Sequence, residues 1–398
     1  MLPFVLVALI KIGLLIAGLM TVAAYLVLVE RWIAAWVQDR RGPNRVGIPL
    51  TKIRLFGIGQ PIADGGKFFF KEEFTPGYVD RILYFLGPII LFSAAMTTFA
   101  VIPFGSVLPE IPGLQEPIEL VVAPGMDVGI VFVFALGSIA VYGVLLAGWA
   151  SNNKYGFLGA LRSAAQLISY ELPLGLGIVG VVLAAGSLRL ETIIEAQAVD
   201  GVWNVVLQPL GFLVFFVAGF AESGRLPFDL SEAEQELVGG FHTEYSGMKL
   251  MMLLVSEFLH LFVVSFMLVI LFFGGWHLWG ITGSGSDVTW PVAIARVVIL
   301  LGKVLLTGLF FIMARWTWPR FRFDQMMTLV WQVIIPLGLV HLVAVAVWSE
   351  YGVGWAEMLG MSYYWANAIW GWSVFIVAMI ALCIFVPETT DNRPRIDL

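Results

Sequence analysis

The sequence holds a single cysteine, Cys383, in its last apolar stretch. That excludes a disulfide framework, a cysteine-ligated zinc site and an iron–sulfur cluster built by this chain alone. Histidine is scarce as well. His242, His260, His277 and His341 are scattered and no two sit four apart, so haem or metal ligation on a helix is not expected. Charge is the third scarcity. Only 13% of the residues are charged and 60% are hydrophobic, where a soluble domain carries about 25% charged residues. So few charges cannot cover a water-facing surface, and the bilayer must be the main solvent. No internal repeat and no inverted pair of broken helices is evident, which argues against a secondary transporter.

What is present is a series of apolar segments. Nine are long enough to cross a bilayer, given a need of about 20 residues each: 2–29, 80–102, 127–150, 163–186, 206–222, 249–273, 292–317, 328–348 and 367–386. The first lacks the basic start and cleavage pattern of a signal peptide and reads as a retained helix. Basic residues set the orientation. Arg31, Arg40, Arg41, Arg45, Lys52, Arg54, Lys67, Lys71 and Arg81 crowd the first inter-span segment. Lys154 and Arg162, Arg225 and Lys249, Arg315, Arg320 and Arg322, and Arg393 and Arg395 mark the later inner segments. The intervening segments hold only Arg189 and Arg296.

The expected fold is therefore an all-α polytopic membrane protein with nine transmembrane helices, N-terminus outside and C-terminus inside. It forms a single membrane domain over 1–398. Segments 30–80 and 222–249 are inner loops, and 349–398 is a C-terminal extension bearing the ninth helix. Residues 58–72, with a helix start near Pro61 and Phe68, Phe69 and Phe70 among charges, read as a short amphipathic helix at the interface. Trp276, Trp279, Trp290 and Trp348 read as interfacial anchors. Gly175-Leu-Gly177-Ile-Val-Gly180 has the GxGxxG spacing but lies inside an apolar span. Close helix packing is expected there, not a nicotinamide site.

Ionisable groups inside the spans carry the chemistry. A charge at mid-membrane costs roughly 2.5–3.5 kcal/mol, so each needs a partner, water or a proton. Glu171 lies in the fourth span, and Glu257 lies in the sixth with His260 one turn on. Both acids sit roughly 12 Å inside their spans at 1.5 Å per residue. Glu222 ends the fifth span and Lys303 lies near the middle of the seventh. Lys11 is expected to snorkel outward. After Glu222 comes an acidic loop with Glu232, Glu234 and Glu236. Ser231 and Glu234 have capping-box spacing, and Glu232 and Glu236 share a helix face. Crowded, partly desolvated carboxylates of this kind exchange protons near working pH.

Several separated stretches carry a resemblance. They are Glu30-Arg31 with Arg41-Gly-Pro-Asn-Arg-Val-Gly47; Gln60-Pro-Ile-Ala-Asp-Gly65; Gly148-Trp-Ala-Ser-Asn-Asn-Lys-Tyr155; Arg162-Ser-Ala-Ala-Gln166 with Ser169-Tyr-Glu171; Ala221-Glu222 through Glu236; Glu244-Tyr-Ser-Gly-Met-Lys249; and Pro319-Arg-Phe-Arg-Phe-Asp-Gln325. Together they resemble the H-subunit family of proton-pumping NADH:quinone oxidoreductase, respiratory complex I. The resemblance implies a multi-pass subunit of a translocase in a bacterial inner membrane, without a complete redox site of its own. Its partners would be the other membrane subunits, the peripheral-arm subunits that complete the quinone site, and lipid, with no nucleic acid. Quinone would be the substrate, and no flavin, haem or iron–sulfur cluster would be bound by this chain. The inner loops would form part of the quinone chamber and of a tunnel open to lipid.

The resemblance gives proton-handling roles to Glu171, Glu222, Glu257, Glu232, Glu234 and Glu236. It places Arg31, Arg40, Arg41, Asp64, Arg225 and Phe228 in the quinone chamber or tunnel. Four positions depart from the family pattern. Phe258 and Phe323 stand where tyrosine is frequent, and Ser223-Gly224 replaces Thr-Asn. The ninth span extends beyond a minimal eight-helix pattern. Alternatives left open are the homologous subunit of a membrane-bound hydrogenase or other-donor quinone reductase, a stand-alone ion transporter, and a purely structural anchor.

Overall fold

A computed structural model describes residues 2–47, 56–109, 118–229, 234–278, 281–283 and 288–385. Lys52, Arg54, Ser231, Glu232, Trp279, Arg393 and Arg395 lie outside the described residues, as does the side chain of Glu234. Among the described residues every regular element is helical, and extended pairing is confined to an isolated bridge between Val107 and Glu119. In chain order the α-helices are α1 Leu2–Val37, α2 Gln60–Phe70, α3 Arg81–Thr98, α4 Gly129–Ala150, α5 Lys154–Ala185, α6 Leu190–Asp200, α7 Asn204–Leu207, α8 Pro209–Glu222, α9 Glu234–Leu237, α10 Gly247–Phe272, α11 Trp290–Thr317, α12 Phe323–Thr328, α13 Ile335–Leu359 and α14 Tyr363–Phe385. A short 3₁₀ turn, Gly240–His242, precedes α10. A widened turn, Leu329–Ile334, joins α12 to α13.

Eight of these are long and apolar enough to cross a membrane: α1, α3, α4, α5, α10, α11, the α12–α13 run and α14. α8 is apolar but has only 14 residues. The long helices are hydrophobic on every side, as expected where lipid rather than water covers the outside. Their ends are set locally. The Asp80 carboxylate accepts from the amides of Ile82 and Leu83 to start α3, and Asn153 accepts from Tyr155 to start α5. Gly186, at φ +66°, closes α5 in the left-handed conformation that favours glycine. α5 thus begins nine residues before the span expected at 163. Likewise α1 continues past 29, carrying Glu30 and Arg31 on the same rod.

α10 sits at the centre, with nearly every residue from Phe258 to Phe272 buried. The other helices pack around it through small residues. A Cβ on Gly87 would lie 2.8 Å from Ala147 of α4, and one on Gly143 would lie 2.8 Å from Leu91 of α3. The GxGxxG stretch has the packing role expected for it. Gly177 meets Phe215 and Gly211 of α8, while Gly180 and Gly211 together make room for the buried His341 of α13.

The bundle has two distinct ends. One carries Arg40–Arg45, α2 and the 3₁₀ turn, and is termed the basic end. At the far end, Lys303 donates to the carbonyls of Phe273 at 2.7 Å, Gly275 at 3.0 Å and His277 at 2.7 Å. It therefore caps the C-terminus of α10 and does not join the acids. Lys11 donates to the carbonyl of Val121 at 3.1 Å, tying α1 to the segment before α4.

A larger side chain at Gly180 collides with His341, whose Nε2 would lie 2.2 Å from the new Cβ. Overpacking of this kind costs about 1–3 kcal/mol. Gly180→Val is expected to lower the thermal inactivation temperature of the assembled membrane protein. Gly175→Ala, with open space around it, is expected to leave that temperature unchanged or raise it.

Candidate functional site

At the basic end α1, α2, α10 and α11 surround a cavity of about 1320 Å³. One face of α1 lines it through Met20, Ala24, Val27, Arg31 and Ala34, spaced three or four apart. α10 contributes Met251, Leu254, Val255 and Phe258 in the same way. Along α1 the lining passes from apolar to charged, because the helix runs from the lipid-depth segment into the basic end. Trp32 donates to the Pro43 carbonyl at 3.1 Å, and Gly42 lies against the Trp32 ring, so the Arg40–Val46 strap is pinned over the cavity.

The charged wall is built from pairs. Arg31 meets Asp64 of α2 at 2.8 Å, and Gln60 donates to the same carboxylate at 3.1 Å. The buried Glu30 carboxylate takes a hydrogen bond from Arg315 of α11 and another from Arg225 at 3.4 Å. The Arg225 guanidinium lies 4.2 Å from the centre of the Phe258 ring, a cation–π contact. Its other nitrogen is 4.0 Å from Glu257 Oε2. Of the six positions expected in a chamber or tunnel, Arg31, Arg40, Arg41, Asp64 and Arg225 line this cavity. Phe228 does not line it. Its buried ring packs between Tyr170, at 5.5 Å, and Phe321, at 5.4 Å.

Behind α10 a second, much smaller space of about 60 Å³ is lined by Ser163, Glu171, Glu222, Ser256, Glu257 and His260, among others. That volume has room for one or two waters. Ser138 donates to Glu171 Oε1. Glu222 Oε2 is buried without a hydrogen-bond partner in the described structure. Gln166 reaches the Ala221 carbonyl at 2.7 Å and fixes the end of α8 against α5. Glu257 lines both spaces. The three acids singled out within the spans are thus brought together, and Lys303 is not among them.

Of the three acids of the inner loop, the described side chain is that of Glu236. Glu236 pairs with Arg162 at 2.7 Å on a partly exposed surface and lines neither space. Three further groups at the site were not visible as site residues in the sequence. Arg315 and Glu30 pair across 285 positions, which no local pattern reveals. His242 lies in the loop between α9 and α10, yet its Nε2 is 3.5 Å from Glu257 Oε1. The charged residue at the end of a hydrophobic run was the available signal for Glu30, since a carboxylate held there needs a counter-charge.

Comparison with known proteins fits this geometry. Residues 10–346 match the NADH dehydrogenase family. The NADH-quinone oxidoreductase H 1 subunit of Geobacter metallireducens is 45% identical over 349 residues, which is 88% of this chain and 96% of the relative. The corresponding H subunit of Leptospira biflexa is 43% identical over 358 residues, 88% of this chain and 97% of the relative. NADH-quinone oxidoreductase subunit 8 of Rhodothermus marinus is 43% identical over 344 residues, 84% and 94% of the two chains. With its helical membrane fold and agreement along most of its length, the chain belongs to the NADH dehydrogenase family, among the H subunits of NADH-quinone oxidoreductase.

Proposed function

We propose that this chain is the multi-pass membrane subunit at which an NADH:quinone oxidoreductase binds quinone and passes protons to buried glutamates. The observation that carries the reading is the position of Glu257, on the wall of the large cavity and of the small acid-lined space alike. The cavity exceeds the roughly 300–1,000 Å³ of ordinary ligand pockets, and its apolar side suits a long prenyl tail. Its charged side, with Arg31, Arg40, Arg41, Asp64 and Arg225, suits a headgroup whose charge changes. The relatives are named as quinone oxidoreductase subunits, which supports quinone over the hydrogenase alternative. Electrons reach the headgroup from a redox centre in a partner subunit of the peripheral arm.

Charge balance gives the mechanism. Arg225 and Arg315 both pair with Glu30, and Glu257 lies 4.0 Å from Arg225. Two-electron reduction of quinone places negative charge in the cavity and needs two protons to give quinol. An anion arriving beside Arg225 competes with Glu257 for the guanidinium. The two quinol protons come from water reaching the headgroup, and Glu257 takes a third proton from the aqueous side and shares it with Glu171 and Glu222 across the small space. Glu232, Glu234 and Glu236 act as the proton-collecting acids of the inner loop.

In this reading the chain crosses a bacterial inner membrane nine times, α8 included, with its N-terminus outside. The short α8 is covered by protein where it falls short of the bilayer thickness. The basic residues at one end of the bundle support that orientation.

Glu257→Gln is expected to lower NADH:quinone reductase turnover tenfold or more, within the range of general acid–base effects of about 10²–10⁴. NADH:ferricyanide activity, which bypasses the quinone site, is expected to stay intact. An unchanged quinone rate and unchanged proton-to-electron ratio would overturn the role. Arg225→Met is expected to raise the KM for quinone and lower thermal stability together, since it leaves Glu30 with one partner. For orientation, with Cys383 replaced by serine, a cysteine at the exposed Glu72 is expected to react with a membrane-impermeant maleimide only in inside-out vesicles. One at the exposed Asp127 is expected to react only in right-side-out vesicles.

A further inference from the structure

His242 ends the 3₁₀ turn before α10. The turn is held down by close backbone contact, since a Cβ on Gly159 of α5 would lie 2.8 Å from Gly240 Cα. The imidazole rests on the Phe241 ring, 3.9 Å between centroids. Its Nε2 is 3.5 Å from Glu257 Oε1, and 11% of its side chain is exposed. The residue after Glu257 is Phe258, which has no hydroxyl and lies under Arg225. Arg225 cannot give up a proton in a protein. Between these two neighbours of the Glu257 carboxylate, the imidazole is therefore the one able to deliver a proton. The separation is slightly long for a hydrogen bond, as is usual for proton-transfer pairs before substrate binds.

We propose that His242 is the proton-transfer partner of Glu257, linking it to water at the basic end. In the step, the Nε2–H bond of the imidazolium breaks and an O–H bond forms at Glu257 Oε1. The imidazole is left neutral with its remaining proton on Nδ1; ring rotation or water-assisted exchange returns that proton to Nε2, and the aqueous side then supplies the next proton at Nδ1. No electron moves. The proposal rests on the quinone-reducing function above and assigns the route by which Glu257 is recharged.

The elements near the turn carry several charged and titratable groups. α10 brings Glu257 and His260, the α8 end brings Glu222 and Arg225, and α5 brings Glu171 and Arg162, the latter engaged with Glu236. In sequence α9 carries Glu234 and Glu236, and α4 carries no charged residue. Beyond the turn, Glu244 is taken by Tyr78 at 2.9 Å and Asn153 at 2.7 Å.

The test is made in membranes carrying the whole complex, with NADH:ferricyanide activity as the measure of assembly. His242→Gln keeps a side-chain amide donor but cannot relay a proton. It is expected to lower quinone reductase turnover about tenfold or more and leave the KM for quinone unchanged. It should also change the pH dependence of quinone reductase turnover. In His242→Ala, added imidazole is expected to restore turnover. A His242→Gln complex with wild-type turnover and pH profile would overturn the proposal, because a hydrogen-bonding role alone then suffices. Absence of imidazole rescue in an assembled His242→Ala complex would also count against it. If Glu257→Gln is impaired while His242→Gln is not, the relay falls and the glutamate reading stands. If neither is impaired, both fall.

Discussion

Glu30 is a buried carboxylate on a helix that lipid surrounds for most of its length, and the basic end is organised around neutralising it. Two guanidiniums converge on it, Arg225 from the end of α8 and Arg315 from the last turn of α11. Breaking a buried pair by removing one partner costs roughly 3–5 kcal/mol, so this knot fixes α1, α8 and α11 relative to one another. Phe258 places α10 under the same guanidinium. Four elements are thereby locked around one cavity wall. Glu257, next to Phe258 on α10, lies 4.0 Å from the same guanidinium.

The far end solves its charge problem differently. Lys303 is satisfied by three carbonyls. Arg296 reaches the Thr282 carbonyl at 2.9 Å and Gly283 at 3.4 Å. Burial, with Lys303 and Arg296 nearby, holds His277 below the usual imidazole range, so it stays neutral at pH 7. Backbone dipoles do not titrate. The buried acids of the spans, in contrast, gather toward the basic end, beside α10. α8 marks the same division. At 1.5 Å per residue its 14 residues cover about 21 Å, less than the roughly 30 Å of hydrocarbon. The chain breaks at Gln208 before it, and a break at that depth must be covered by protein. α14 covers it, close enough that a Cβ on Gly371 would lie 2.2 Å from the Leu207 carbonyl.

Much of this was readable in the residues. Uniform apolar runs gave the long helices, because lipid leaves no polar face to mark a period. Pro61 and the charges around Phe68–Phe70 marked α2. The intramembrane glutamates were legible because each lacked local solvation. Residues that depend on distant partners were not. Lys303 looked like a companion of the acids, and only the descent of residues 273–277 beside it shows a cap. Phe228 sits in a motif next to Arg225, yet its ring packs between Tyr170 and Phe321, partners far away in sequence. His242 lay outside every span, so no desolvation argument singled it out. The ends of α1 and α5 were misjudged because polar residues continue a helix as readily as apolar ones once it is nucleated.

The distances decide how far the cavity can act by field alone. Moving one charge against 100 mV takes about 2.3 kcal/mol. Two unit charges 4 Å apart interact by about 4 kcal/mol at an effective dielectric near 20, and at three times that separation by about 1.4 kcal/mol. The Arg225–Glu257 separation of 4.0 Å is thus inside the range where losing one counter-charge outweighs the membrane potential. A site three times as far away is not. Any effect beyond Glu257 must then travel as a proton and not as a potential, which requires donors and acceptors within reach of the same side chain. Glu257 meets that requirement, with His242 on one side and the small space shared with Glu171 and Glu222 on the other.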